Sequence, residues 1–158
     1  MQLRRPTDPG DSCGIWPVRM APQLSEIRAS VQELARRRYA HPSLDAPERT
    51  LSDVIERLAL VVSELGGNAL RHAHAPVSIR LARVRHGWLL SVADGDPDVA
   101  PCVRSADDAE VSGQSQGLLV VARISDDFGW YADPDCKHVW AIVPDAPPAK
   151  LVARLARD

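Results

Sequence analysis

Leu58-Ala-Leu-Val-Val-Ser-Glu-Leu-Gly-Gly-Asn-Ala-Leu-Arg-His-Ala73 carries two patterns at once. Glu64, Asn68 and His72 recur every four residues, and a helix stacks such residues along one face. Ile55, Leu58, Val62, Leu65 and Ala69 follow at spacings of three and four, the buried stripe of an amphipathic helix. Such a helix keeps its back in a core and turns a polar row toward a cavity. Gly66 and Gly67 each cost ~1 kcal/mol relative to alanine inside a helix, so the pair asks for a compensating reason: close packing or the approach of a ligand.

Outward from this stretch the chain alternates helical and strand-like segments. Residues 1–13 hold Pro6, Pro9 and Gly10 and no periodic pattern, so they read as a flexible leader. Ile15 to Met20 reads as a short edge strand, because Pro17 cannot donate to a central ladder. Pro22 to Tyr39 reads as a helix with Leu24, Ile27, Val31 and Leu34 on its buried stripe; its Arg36-Arg37-Arg38 end suits the helix dipole and is either a solvated terminus or a partner-docking surface. His41 to Pro47 is a linker, after which Thr50 or Ser52 can cap the central helix, running to about His72. Val77 to Val84 and Trp88 to Ala93 form a hairpin with His86-Gly87 as its turn. Asp94 to Gln116 is poor in apolar residues and has the length of a lid or binding segment. A helix from Gly117 to Ile124, then strands from Phe128 to Ala132 and His138 to Val143, complete a domain over residues 14–146, with residues 147–158 as a tail.

With 158 residues, 45% of them hydrophobic, the chain can bury one sizeable core and not comfortably two. A formal net charge of −2 provides no general basic field, so direct nucleic-acid or membrane association is not expected and a phosphate ligand must be met locally. Cys13, Cys102 and Cys136 are odd in number and far apart, which argues against a zinc site or a disulfide framework. No apolar run follows the basic N-terminus and none approaches the ~20 residues of a membrane span, so a cytoplasmic location is expected. His72 and His74 diverge on a helix and lack further ligands, so they do not read as a metal site.

Three polar segments occur in order: Glu64-x-x-x-Asn68 on a helix, Asp94-Gly-Asp-Pro97 at a strand end, and Gly113-Gln-Ser-Gln-Gly117 opening a helix. As an ordered set they resemble the nucleotide-binding boxes of the GHKL, or Bergerat-fold, ATPases. The likeness is nearest to the small, single-domain anti-sigma-factor serine kinases and their actinobacterial relatives, whose first box often reads Ser-Glu-Leu-x-x-Asn-Ala-x-Arg-His; Ser63 to His72 matches it position by position. This resemblance implies an α+β fold: a two-layer α/β sandwich whose mixed, mostly antiparallel sheet is covered on one face by helices.

It also implies ATP and Mg²⁺ as cofactors. Asn68 would ligate the metal through its amide oxygen, which suits a hard ion, and Glu64 would act as the catalytic base. Asp94 would accept a hydrogen bond from the adenine amine, with Gly95 letting the backbone pass close to the purine, although Asp-Gly is also a common turn dipeptide. Arg71 and His72 would lie near the phosphates or cap the helix end. Ser115, Gly117 and Leu118 would bring phosphate-binding amides at a helix start. His138 stands where relatives often carry a threonine near the nucleotide, and also reads as a surface histidine on a strand.

The chain departs from its relatives at Gly66-Gly67, where larger residues are usual, and at Ser115-Gln116, which replace the first glycine and the arginine of Gly-Arg-Gly-Leu. The expected function is that of an ATP-dependent serine/threonine kinase that phosphorylates an anti-anti-sigma antagonist protein and binds a sigma factor, with a homodimer as the expected assembly. The departures also fit a second function, a non-catalytic, partner-binding module with a degenerate nucleotide site.

Overall fold

The computed structural model describes residues 2–40, 48–101 and 116–146. The linker at 41–47, Cys102, Ser115 with most of the 94–116 segment, and the tail at 147–158 lie outside the described residues. In chain order the elements are β1 (Gln2–Leu3), β2 (Asp11–Val18), α1 (Gln23–Tyr39), α2 (Glu48–His72), β3 (Val77–Val84), β4 (Gly87–Asp94), α3 (Gln116–Ile124), β5 (Asp127–Ala132) and β6 (Lys137–Pro144). The six strands form one sheet in the order β1-β5-β6-β4-β3-β2. All pairs are antiparallel except β1 with β5, so the sheet is mixed and mostly antiparallel, as expected.

The helices cover one face. Leu24, Ile27, Val31 and Ala35 of α1 and Val54, Leu58, Val61, Val62 and Leu65 of α2 pack with Val77, Ile79, Leu81, Trp88, Leu90, Val92, Val139 and Ala141 in one continuous core. The alternate strand residues Ala82, Val84, Leu89 and Trp140 form a second, smaller cluster on the opposite face. Central strands β4 and β6 are thus buried on both sides, which is why Trp88 to Ala93 reads as a nearly continuous apolar run.

A strap made by the chain's own beginning covers the second face. β1 and β2 lie on opposite edges of the sheet, five strand spacings or ~24 Å apart; the eight steps from Leu3 to Asp11 span ~26 Å when extended. Residues 4–10 therefore run almost straight across. Trp140 Nε1 donates to the Arg4 carbonyl (2.8 Å), Arg4 and Arg5 sit over the Trp140 and Tyr131 rings, and Arg4 pairs with Asp127. Arg80 donates to the carbonyls of Pro9 and Gly10 at 3.1 and 3.2 Å. Gly10 then turns the chain into β2 at φ 65°, a left-handed conformation that favours glycine, in a place where a Cβ would lie 2.6 Å from the Arg83 carbonyl.

This corrects the flexible leader: residues 2–13 are folded into the sheet and the strap, because their partners are aromatic rings, Asp127 and carbonyl-seeking Arg80 far along the chain. Three smaller expectations also change. α2 begins at Glu48, so Thr50 and Ser52 lie inside it rather than at its cap; Leu51, packed against the core, draws the helix upstream. The hairpin turn is Arg85-His86, since Gly87 already pairs with Val84. α3 starts one residue before Gly117. The edge position of the strand containing Pro17 is as expected, although that strand begins earlier, at Asp11.

Candidate functional site

The polar row of α2 belongs to a helix that packs against α3 and strands β4 and β6. Glu64 and Asn68 are half-buried on this row while Val61, Val62, Leu65 and Ala69 are buried behind them. Neither polar side chain has a hydrogen-bond or ion-pair partner among the described residues. A half-buried carboxylate and carboxamide left unpaired retain their full capacity for a ligand. Glu64 lies directly against Gly117: a Cβ there would collide with its carboxylate oxygen. The first and third boxes therefore meet at the start of α3.

The two glycines of α2 have different neighbours. A Cβ on Gly66 would stand 2.7 Å from Leu24 Cδ2 and 3.1 Å from Ile79 Cδ1, so Gly66 lets α2 close onto α1 and β3. A Cβ on Gly67 would meet only the guanidinium of Arg71 at 3.1 Å. Arg71 thus folds back over α2 beside Asn68, exposed to solvent, and His72 is exposed at the helix end. On the α1 side, Arg28 donates to Ser63 Oγ (3.0 Å) and to Ser25 Oγ (2.9 Å), tying the residue before Glu64 to the neighbouring helix. No spacing rule singles out Arg28.

Asp94, the last residue of β4, is 2% exposed on the helix-covered face. It pairs in register with Lys137, the first residue of β6, whose buried ammonium approaches Asp94 Oδ1 at 3.3 Å. The Asp96 amide donates to the same oxygen at 3.1 Å. Burial pushes the Asp94 carboxyl above the usual range, and the Asp96 amide and Lys137 offset this only in part. The turn after Asp94 is clamped to the end of α2: Gly95 N donates to His74 O (2.9 Å), His74 N donates to Asp96 Oδ2 (2.9 Å), and His74 Nδ1 lies 2.6 Å from Asp96 Oδ1. The side-chain and backbone hydrogen bonds from His74 hold the Asp96 carboxyl below its ordinary value. This clamp sets Asp94 beside the C-terminal half of α2, which carries Asn68.

The sequence matches the histidine kinase-like ATPase domain over residues 17–143. The chain belongs to that family. A comparison with curated proteins finds no match. Membership makes this a GHKL-type, ATP-binding domain, and its sheet and helices are those of the expected two-layer sandwich.

Within this histidine kinase-like ATPase domain the expected site residues separate into two groups. Glu64, Asn68, Arg71 and His72 lie on α2, Gly117 meets Glu64, and Asp94 lies on the helix-covered face of the sheet, tied to the end of α2 through Asp96 and His74. Leu118 is 5% exposed and belongs to the core, so only its backbone is available to a phosphate. At Gly95 a Cβ would lie 2.7 Å from the Ala75 carbonyl, so the close approach of two backbones by itself calls for glycine there.

His138 is corrected outright. Residues 137, 139, 141 and 143 of β6 face the helices, and His138 faces the strap, stacked on Tyr131 at 4.5 Å with Nε2 2.8 Å from Asp133 Oδ2. It is Lys137, not His138, that reaches the site. The described residues hold no group of three or more His, Cys, Asp or Glu side chains able to bind a metal; the one-amide ligation expected of Asn68 needs no such group. No helix among them is long and apolar enough to cross a membrane.

Proposed function

We propose that this chain is an ATP- and Mg²⁺-dependent regulator of the anti-sigma-factor kinase type, transferring the γ-phosphoryl group to a serine or threonine of a small antagonist protein and binding a sigma factor. The observation that carries the reading is the pair Glu64 and Asn68: one helical turn apart, half-buried, without partners among the described residues, and with Gly117 directly against Glu64. Asn68 would provide one oxygen ligand to Mg²⁺, which when bound neutralises charge on the phosphates. Glu64 would take the proton of the attacking hydroxyl, a contribution of roughly 10²–10⁴ in rate. The Arg71 guanidinium, exposed and resting on Gly67, would swing toward a phosphate. The Asp94 carboxylate would orient the base through the oxygen that Lys137 and Asp96 do not occupy. The chain would work in the cytoplasm as a homodimer, without direct contact to nucleic acid or membrane.

Calorimetry with ATP and Mg²⁺, followed by phosphotransfer to candidate antagonists, tests this reading. Asn68→Ala abolishes nucleotide binding, Glu64→Ala preserves it, and both lose transfer; wild-type protein with no affinity for ATP refutes the reading. Light scattering of the purified chain checks the dimer. One observation favours a second reading: Asp94 is already engaged by Lys137 and His138 is turned to the other face, as suits a non-catalytic module that binds a partner through a degenerate site. Partner binding without ATP affinity supports that module.

A further inference from the structure

We propose that Lys137 is a specificity-determining residue at the base end of the site, and that it admits guanine as well as adenine nucleotides. The inference rests on the nucleotide-binding reading above and concerns which base the site takes.

A carboxylate by itself offers only acceptors. Asp94 alone would take the exocyclic amine of adenine and repel the carbonyl oxygen that guanine carries in its place. In this chain the carboxylate is not alone. Register fixes Asp94 opposite Lys137 at the ends of two adjacent strands, on the face toward α2, with Nζ 3.3 Å from Asp94 Oδ1 and both side chains buried. Lys137 begins β6, so its backbone is held in the sheet.

The two partners of Asp94, the Lys137 ammonium and the Asp96 amide, both approach Oδ1; Oδ2 has none among the described residues. The ammonium has three protons, and pairing with Oδ1 uses one. The base end therefore presents a free acceptor, Asp94 Oδ2, next to free donors on Lys137. Each purine offers the complement. Adenine places its amine on Oδ2 and its ring N1 toward the ammonium. Guanine places its O6 toward the ammonium and its N1–H on Oδ2. A buried ion pair is a weak source of fold stability, so stability alone does not account for this one.

Competition binding of ATP, GTP and ITP to the full chain with Mg²⁺ tests the proposal. In the wild type, GTP and ITP bind within about tenfold of ATP. Lys137→Met removes the donor for O6 and lowers GTP affinity roughly 10- to 100-fold more than ATP affinity, while Lys137→Gln, which keeps a donor without the charge, retains GTP binding. Three results overturn it: wild-type protein that binds ATP at least 100-fold more tightly than GTP, a Lys137→Met variant whose ATP-to-GTP ratio is unchanged, or a Lys137→Gln variant that behaves like Lys137→Met. The first needs no variant to fold. Absence of binding by any nucleotide refutes the nucleotide reading itself, and this proposal with it.

Discussion

Replacing the two adjacent glycines of α2 by alanine, one at a time, separates packing from helix propensity. Both substitutions gain the same intrinsic term, ~1 kcal/mol for alanine over glycine inside a helix. At Gly66 the new methyl would sit 2.7 Å from Leu24 Cδ2 and 3.1 Å from Ile79 Cδ1, about 0.8 and 0.4 Å inside the ~3.5 Å at which carbon atoms begin to rest comfortably. Leu24 and Ile79 are both buried, so relief requires those side chains or the elements that carry them to shift within a packed core, at about 1–3 kcal/mol. Gly66→Ala should therefore be neutral to about 2 kcal/mol destabilising. At Gly67 the nearest neighbour is the exposed Arg71 guanidinium, which moves by a few tenths of an ångström at little cost. Gly67→Ala should stabilise by about 0.5–1 kcal/mol. Because the intrinsic term cancels, the difference between the variants, about 1–3 kcal/mol, measures the α1–α2–β3 contact; for a chain this size it corresponds to roughly 2–12 °C in melting temperature. Urea and thermal unfolding followed by circular dichroism provide the assay. Equal stabilities within about 0.5 kcal/mol would refute the argument that Gly66 exists for close packing.

Other outcomes follow from the same structure. Tyr39 donates to Asp145 and accepts from Trp88 Nε1 at 3.3 Å, and burial followed by the Asp145 hydrogen bond raises its pKa from 10.0 to about 12. Its contribution to stability is complete below pH 10 and is lost as pH rises toward 12, so Tyr39→Phe lowers neutral-pH stability by about 1 kcal/mol and removes that alkaline decline in a urea-midpoint series. Deleting residues 1–9 uncovers Trp140 and Leu89; it should cost about 2–4 kcal/mol and red-shift the tryptophan fluorescence, and an unshifted spectrum would show that the strap is not their cover. On the proposed kinase reading, Gly117→Ala should displace the Glu64 carboxylate and slow phosphotransfer about 10- to 100-fold with little change in ATP affinity; equal loss of both would place Gly117 in binding instead.

The sequence made the helix-covered half of the fold legible and concealed the other half. Apolar spacing in α1, α2 and the β3–β4 hairpin reports local geometry, and those elements lie within a residue or two of expectation except at the start of α2, which comes earlier. The strap has no such period, because its contacts are with Arg80, about 70 positions away, and with Trp130, Tyr131, Trp140 and Asp127, more than 120 positions away. Glu64 and Asn68 were legible because one helix carries both. Lys137 was not: β6 is apolar on both faces, so alternation cannot tell which of Lys137 and His138 turns toward the helices. Only the pairing register with β4 decides it, and register is a tertiary property. The role of Gly95 was hidden for the same reason, since its close neighbour is the backbone at Ala75.

The docking of the first residues against β5 and β6 has a consequence for biosynthesis. Arg4 and Trp140 are separated by 136 positions, so a ribosome must deliver all of them before the strap can settle. Until then the apolar underside of the half-built sheet has no cover from its own polypeptide. Nascent chains of this protein are consequently most exposed to aggregation and chaperone capture in the interval between closure of the β3–β4 hairpin and release of β6.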